Sequence, residues 1–167
     1  MVADAVAYLG LGANLGVPST TLGAAVRAIR LWPQTRCTAV SRLYHSAPMG
    51  PADQPDYCNA VVQVSTQLAP RALLAEAQAT EQRFGRTRSE TRWGARSLDI
   101  DLLLYGGDEF VADDLVLPHP GLEERSFVVF PLLDVAPDLH LPNGRVLSEL
   151  AGRISRADLH RVEAWAP

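Results

Sequence analysis

Four stretches with strand character and two with helical periodicity, in the order βαββαβ, predict an α+β fold. The expected form is a ferredoxin-like sandwich, an antiparallel sheet with helices on one face and additional short C-terminal elements. Two further observations support that class. The chain has 167 residues, 47% hydrophobic and 20% charged, enough to build a packed core. No repeat, low-complexity segment or long linker divides it, so residues 1–167 read as a single domain.

Each element follows from local pattern. Ala5–Leu11 reads as a first strand that ends in the loop Gly12–Ser19. Leu22, Ala25, Val26 and Ile29 recur at helical spacing, giving a helix over Thr20–Trp32 closed by Pro33. Cys37–His45 mixes β-branched, aromatic and polar residues and reads as a second strand. Ser46–Pro55 is rich in proline and must be a loop. Tyr57–Thr66 is a third strand. Pro70 opens a second helix, whose Leu73, Leu74, Ala77 and Phe84 share a face until Gly85 stops it. After a polar stretch, Arg86–Ser97, comes a fourth strand, Leu98–Tyr105. The remaining third, broken by Pro118, Pro120, Pro131, Pro137 and Pro142, carries short elements without a decisive period.

Composition removes several functions. The net charge of −4 opposes nonspecific nucleic-acid binding, so no nucleic-acid partner is expected. All fifteen basic residues are arginine. Without lysine there is no lysine Schiff base, no Walker-type phosphate loop and no lysine-dependent protein-kinase site. Phosphate must be held by arginine, metal or backbone. Cys37 and Cys58 form neither a metal-ligand spacing nor a disulfide framework. The short apolar start is not a signal peptide, and no apolar run reaches membrane-span length. A cytoplasmic protein with no membrane partner is expected.

The most informative segment is Arg92-Trp93-Gly94-Ala95-Arg96-Ser97-Leu98-Asp99-Ile100-Asp101. Alternate strand residues share a face, so Leu98, Ile100, Leu102 and Leu104 should form one apolar face and Asp99 and Asp101 should project from the other. Their Cα atoms would lie about 6–7 Å apart. Two carboxylates on one face repel unless a cation or proton lies between them, and Mg²⁺ takes such ligands together with substrate phosphates. A solvated pair on an edge strand is the plain alternative. Arg83, Arg86, Arg88, Arg92 and Arg96 crowd the fourteen residues 83–96, just ahead of the pair. Charge runs are often only a solvated face. Guanidinium forks beside two carboxylates nevertheless supply both halves of a polyphosphate site and point to phosphoryl transfer.

Three patterns point elsewhere and fail. Gly10-Leu11-Gly12-Ala13-Asn14-Leu15-Gly16 has GxGxxxG spacing rather than a dinucleotide fingerprint, and no acidic residue lies between Asp4 and Asp53 to hold a ribose. Gly106-Gly107-Asp108-Glu109-Phe110 spells the diguanylate-cyclase signature, yet Gly-Gly before a short apolar run is a common hairpin turn. His45, His119, His140 and His160 show no zinc-like clustering.

The ordered motifs carry a family resemblance. They begin with Tyr8-Leu9-Gly10-Leu11-Gly12-Ala13-Asn14-Leu15, then Val40-Ser41-x-x-Tyr44-x-Ser46-x-Pro48-x-Gly50 and Asp53-Gln54-Pro55-Asp56-Tyr57-x-Asn59. Phe84-Gly85-Arg86-x-Arg88 and Arg92-Trp93-Gly94-x-Arg96-x-Leu98-Asp99-Ile100-Asp101 follow. Pro118-His119-Pro120, Arg125-x-Phe127 and Pro137-Asp138-Leu139 complete the set. Together they resemble the 6-hydroxymethyl-7,8-dihydropterin pyrophosphokinases of folate biosynthesis. The resemblance implies diphosphate transfer from ATP to the hydroxymethyl group of the dihydropterin, with release of AMP; a monomer acting on small molecules is expected.

It also implies residue roles. Asp99 and Asp101 would bind two Mg²⁺ ions with ATP. Arg86, Arg88, Arg96, His119 and Arg125 would hold the nucleotide, with Arg86 and Arg96 also acting on charge developed during transfer. Tyr57 and Phe127 would sandwich the pterin ring, Asn59 would bond its edge, and Trp93 would lie on a loop that closes over the site. Residues 14–18, 48–53 and 86–93 would be the family's three catalytic loops. Ser89 and Asp113-Asp114 stand where the family often has basic residues, implying fewer phosphate or ribose contacts there. A diguanylate-cyclase-like nucleotide cyclase and a non-catalytic nucleotide-sensing domain are the competing readings.

Overall fold

A computed structural model describes residues 3–48, 53–85 and 97–167. Strand β1 (Ala5–Ala13) runs into α1 (Pro18–Ile29), followed by β2 (Thr35–Val40), β3 (Leu43–Ser46), β4 (Tyr57–Thr66), α2 (Pro70–Arg83) and β5 (Asp99–Tyr105). A small hairpin, β6 (Phe110–Val111) and β7 (Val116–Leu117), leads through a 3₁₀ turn, Leu122–Glu124, into α3 (Ser126–Val135). Helix α4 (Leu147–Ala151) and strand β8 (Leu159–Glu163) complete the order. The main sheet is antiparallel, in the order β5-β1-β4-β3-β8, with β2 also pairing to β4.

Alternation along the strands divides the interior into two cores. Ala7, Leu9 and Leu11 of β1, with Ala60, Val62 and Val64 of β4, pack beneath Leu22, Val26 and Ile29 of α1 and Leu73 and Ala77 of α2. Tyr8, Val61 and Leu103 point the opposite way, against Val128, Val129 and Leu132 of α3. The expectation of helices on one face is therefore incomplete, because the C-terminal third covers the second face and adds β8 to the sheet.

Four local expectations need correction. Helix α1 starts two residues early because Pro18 supplies a pre-set first-turn φ, and it ends at Ile29. Beyond it the chain tightens into i→i−3 bonds, Leu31 N–H to Ala28 O and Trp32 N–H to Ile29 O. Trp32 is then free to enter the core, donating its indole N–H to Thr80 Oγ1 at 3.0 Å. The stretch Cys37–His45 is two strands, not one. Ser41 interrupts it, its Oγ accepting the Val61 N–H at 2.8 Å in place of a ladder carbonyl. Lastly, a bulge at Leu103, between the pairs Tyr8–Leu104 and Leu9–Leu102, sends Leu104 into the second core rather than the first.

Helix α3 is tied to the sheet by a polar cluster. Arg42 grips Asp134 in bidentate fashion, Nη2 to Oδ1 at 3.0 Å and Nε to Oδ2 at 3.1 Å, and the Tyr44 hydroxyl donates to the same carboxylate at 2.9 Å. Burial pushes the Tyr44 hydroxyl up to about 12, with Asp134 acting in the same direction. Burial alone would raise Asp134, but the hydrogen bonds from Arg42 and Tyr44 outweigh it and hold its pKa below the usual value of 3.8. A depressed carboxylate stabilises the fold above its unfolded pKa, and that contribution is lost as pH falls through the folded value. Asp134→Asn should therefore destabilise the protein by about 1–3 kcal/mol at neutral pH. The gap to the parent protein should shrink below roughly pH 4, measured by denaturant unfolding at each pH.

Candidate active site

The site forms where three neighbouring strands present one face. Directly opposed residues of an antiparallel ladder share a face. Asp99 of β5 opposes Gly12 of β1, which opposes Asn59 of β4. One step along, Asp101 opposes Gly10, which opposes Val61. Neither glycine adds a side chain to this face; Leu103 packs over Gly10 while Gly12 stays open, so the carboxylates and the Asn59 amide face each other across β1, about 10 Å apart at normal strand spacing. A cavity of about 390 Å³ opens on this face. Tyr57, Ser46 and Ala47 line one side; His119, Pro120, Gly121, Arg125, Phe127 and Val128 line another.

Asn59 is fixed in one orientation. Its Nδ2 donates to the Tyr44 carbonyl at 3.0 Å and to Ser46 Oγ at 2.8 Å. A carbonyl can only accept, so the amide nitrogen must face inward and Oδ1 is left as an acceptor at the cavity. Gly12 lies against that oxygen: a Cβ there would stand 3.4 Å from Oδ1 and 3.8 Å from the Tyr57 ring.

The opposite wall is held just as firmly. His119 N–H donates to the Leu103 carbonyl at 2.9 Å, fastening this segment to β5. His119 Nδ1 accepts the Gly121 N–H at 3.1 Å, so the ring proton sits on Nε2, 4.0 Å from Asp101 Oδ2. Burial lowers the pKa of His119; Asp101 opposes that shift and Arg125 adds to it. Arg125 lies directly over Gly121, where a Cβ would come within 2.5 Å of its Nε. Behind β5, buried Glu81 of α2 accepts the Ile100 N–H at 3.0 Å and so fixes the backbone between the two aspartates. Asn14 Nδ2 donates to Gln54 Oε1 and to the Pro55 carbonyl, both at 3.0 Å, joining the loop after β1 to the segment before Tyr57.

The structure thus brings Asp99, Asp101, His119, Arg125, Tyr57, Asn59 and Phe127 to one cavity. Arg86, Arg88, Trp93 and Arg96 lie outside the described residues. Gly10, Gly12 and Ser46, which the motifs include without a role, shape the cavity together with Gly121, and Glu81 braces it; none of the five is among the expected site residues. For the β1 glycines a signal existed: two glycines at i and i+2 on a strand clear one face. Gly106-Gly107 forms a turn at the far end of β5 from Asp99, closed by Asp108 N–H to the Tyr105 carbonyl, and takes no part in the site. Asp114 is engaged by Arg71 of α2 at 3.1 Å, tying the hairpin to that helix.

Residues 8–137 match the family model for 7,8-dihydro-6-hydroxymethylpterin-pyrophosphokinase. The 2-amino-4-hydroxy-6-hydroxymethyldihydropteridine pyrophosphokinase of Haemophilus influenzae is 45% identical over 144 residues, 86% of this chain and 89% of that protein. The enzyme of the same name from Pseudomonas aeruginosa is 48% identical over 143 residues, covering 86% and 88%. Among solved structures, the Plasmodium falciparum HPPK-DHPS superposes with a TM-score of 0.70 at 14% identity. That match covers 89% of this chain but only 43% of the larger one, and it speaks for the fold. The family match and these identities converge on one assignment: the chain belongs to the 7,8-dihydro-6-hydroxymethylpterin-pyrophosphokinase family.

Proposed function

We propose that this cavity is where the chain performs its family's reaction. The terminal diphosphate of ATP passes to the hydroxymethyl oxygen of 6-hydroxymethyl-7,8-dihydropterin, giving the dihydropterin diphosphate and AMP in folate biosynthesis. The carrying observation is the convergence of a fixed amide acceptor, two aromatic rings and two carboxylates on one glycine-floored cavity.

The heterocycle fits the Asn59 side. A flat ring with N–H groups along its edge needs stacking faces and a directional acceptor. Tyr57 and Phe127 supply the faces, and Asn59 Oδ1 is the acceptor. The nucleotide then extends over Asp99 and Asp101 toward His119 and Arg125. Gly121→Ala should displace the Arg125 guanidinium and raise the KM for ATP about three- to ten-fold, the worth of one such contact. Thermal stability should be little changed, because only the end of a flexible side chain must move. Steady-state kinetics beside a melting curve tests both halves.

The aspartates suit magnesium. Both carboxylates face the cavity from one strand, and among the described residues no third acidic, His or Cys side chain joins them in a metal cluster. Magnesium keeps several positions for water and phosphate, so such a sparse oxygen donor set fits it. Asp99 and Asp101 would hold two Mg²⁺ ions together with the triphosphate. Bound there, magnesium neutralises triphosphate charge and polarises the phosphorus under attack.

The chemistry asks little else of the protein. The hydroxymethyl oxygen attacks the β-phosphorus, the bond to the α–β bridging oxygen breaks, AMP leaves, and the hydroxyl proton is released. A loose transition state needs positioning and charge stabilisation more than a strong base. His119 offers Nε2–H and Arg125 its guanidinium. From the family resemblance, Arg86, Arg88 and Arg96 add positive charge and Trp93 helps exclude water. Arg86→Ala and Arg96→Ala should lower kcat more than they raise KM, which steady-state kinetics resolves.

No helix among the described residues is long and apolar enough to cross a membrane. The protein would work as one domain and a monomer on small molecules, in the cytoplasm where the resemblance puts folate synthesis. Mass spectrometry of the products from ATP, Mg²⁺ and the hydroxymethyldihydropterin tests the function. AMP with the dihydropterin diphosphate supports it. A cyclic dinucleotide from GTP would mean a cyclase, and intact ATP a sensing domain.

A further inference from the structure

Residues 155–167 lie beyond the segment matched to the family, yet they bind both walls of the cavity. Strand β8 pairs with β3, and from that position three ties reach the site. The Ala47 N–H donates to the Asp158 carbonyl at 3.0 Å, and Ala47 lines the cavity. The buried Ser126 hydroxyl donates to Asp158 Oδ2 at 3.3 Å, and Ser126 stands between Arg125 and Phe127 at the start of α3. His160 Nδ1 bonds the carboxylate of Asp56, the residue before Tyr57. Beyond β8, the Trp165 indole donates to the Ser41 carbonyl at 2.7 Å and its ring packs on the first core, pinning the far end.

We propose that this C-terminal strap, through Asp158 above all, is a positioning element that sets the separation of the Tyr57 and Phe127 rings. The two rings stand on different elements, β4 and α3, and Asp158 and His160 tie the flanks of both to one short segment. A stacked heterocycle tolerates little change in that gap, because dispersion falls off within a fraction of an ångström. The inference rests on the proposed placement of the pterin between these rings. Asp158 and His160 are themselves exposed, so replacing them empties no core.

The test is equilibrium binding of 6-hydroxymethyl-7,8-dihydropterin by fluorescence in the full chain, with KM for ATP measured alongside. Asp158→Ala and Ser126→Ala should each weaken dihydropterin binding roughly three- to ten-fold, the worth of one hydrogen bond. The double variant should be no worse than either single one, since both remove the same contact. Asp158→Asn, which keeps an acceptor for the serine hydroxyl, should restore binding, and His160→Ala should weaken it in the same direction. The KM for ATP should stay within about two-fold of the parent, as a change confined to one subsite requires. Additive losses, failure of Asp158→Asn to restore binding, or an equal loss of ATP affinity would overturn the strap. Tyr57→Ala and Phe127→Ala separate the two ideas. If they abolish dihydropterin binding while Asp158→Ala does not, the strap alone fails; if they leave binding intact, the pocket assignment fails and the strap with it.

Discussion

Asp99→Ala and Asp101→Ala should each lower the rate of AMP formation by about 10³-fold or more while leaving dihydropterin affinity within roughly three-fold. The two halves of this expectation follow from one geometry. The carboxylates belong to β5 and the proposed pterin acceptor, Asn59, to β4, with the glycines of β1 between them. On the proposed placement, removing a carboxylate would deprive the triphosphate of a metal anchor, and with it the charge neutralisation that a polyanion needs before a neutral hydroxyl can attack. It does not touch Asn59, whose orientation is set by the Tyr44 carbonyl and Ser46. Nor should the fold suffer, since neither carboxylate belongs to the buried core. Single-turnover assays with fluorescence titration of the dihydropterin separate rate from binding. Near-normal AMP production by either variant would end the two-metal assignment.

That pair of aspartates was legible in the sequence for a simple reason: Leu98, Ile100 and Leu102 declare the buried face, so period-two alternation places the acids on the other. Tyr57 and Asn59 show the same spacing. Sequence pattern loses its hold where the backbone departs from regular geometry or where a partner distant in sequence decides. Leu104 continues the apolar alternation, but the bulge at Leu103 turns it over, and no local pattern announces that extra residue. The break inside Cys37–His45 depends on the Ser41 hydroxyl replacing a ladder acceptor for Val61, a contact twenty residues away. Helix α3 has no readable stripe because Phe127, Val128, Val129, Phe130, Leu132 and Leu133 are apolar all round and Pro131 sits inside it. Its true role, covering the second face of the sheet, is a tertiary fact. The loop arginines and Trp93 rest on the family resemblance, since residues 86–96 lie outside the described structure.

Gly12 presents the sharper test, because stability and function should move in opposite directions. Glycine inside a strand is ordinarily a liability: it adds unfolded-state entropy and packs nothing, so a β-branched replacement should stabilise by about 0.5–1 kcal/mol. Gly12 sits centrally in the sheet, paired on both sides to Asn59 and Asp99, with no left-handed φ that would demand glycine. What its bareness provides is room. A Cβ would already touch Asn59 Oδ1 at 3.4 Å and the Tyr57 ring at 3.8 Å, which is ordinary contact. The γ-carbons of valine must project further, into the space where the heterocycle would lie. Gly12→Ala should therefore weaken dihydropterin binding only a few-fold, whereas Gly12→Val should lower kcat/KM by about 100-fold or more, through loss of a filled subsite. Denaturant midpoints and dihydropterin titrations on the same three proteins give the comparison. A valine variant that unfolds no more easily yet cannot bind the heterocycle identifies the strand glycine as a determinant of the cavity. A valine variant that binds normally would place the pterin elsewhere, because the added γ-carbons extend a Cβ that already touches Asn59 Oδ1 and the Tyr57 ring.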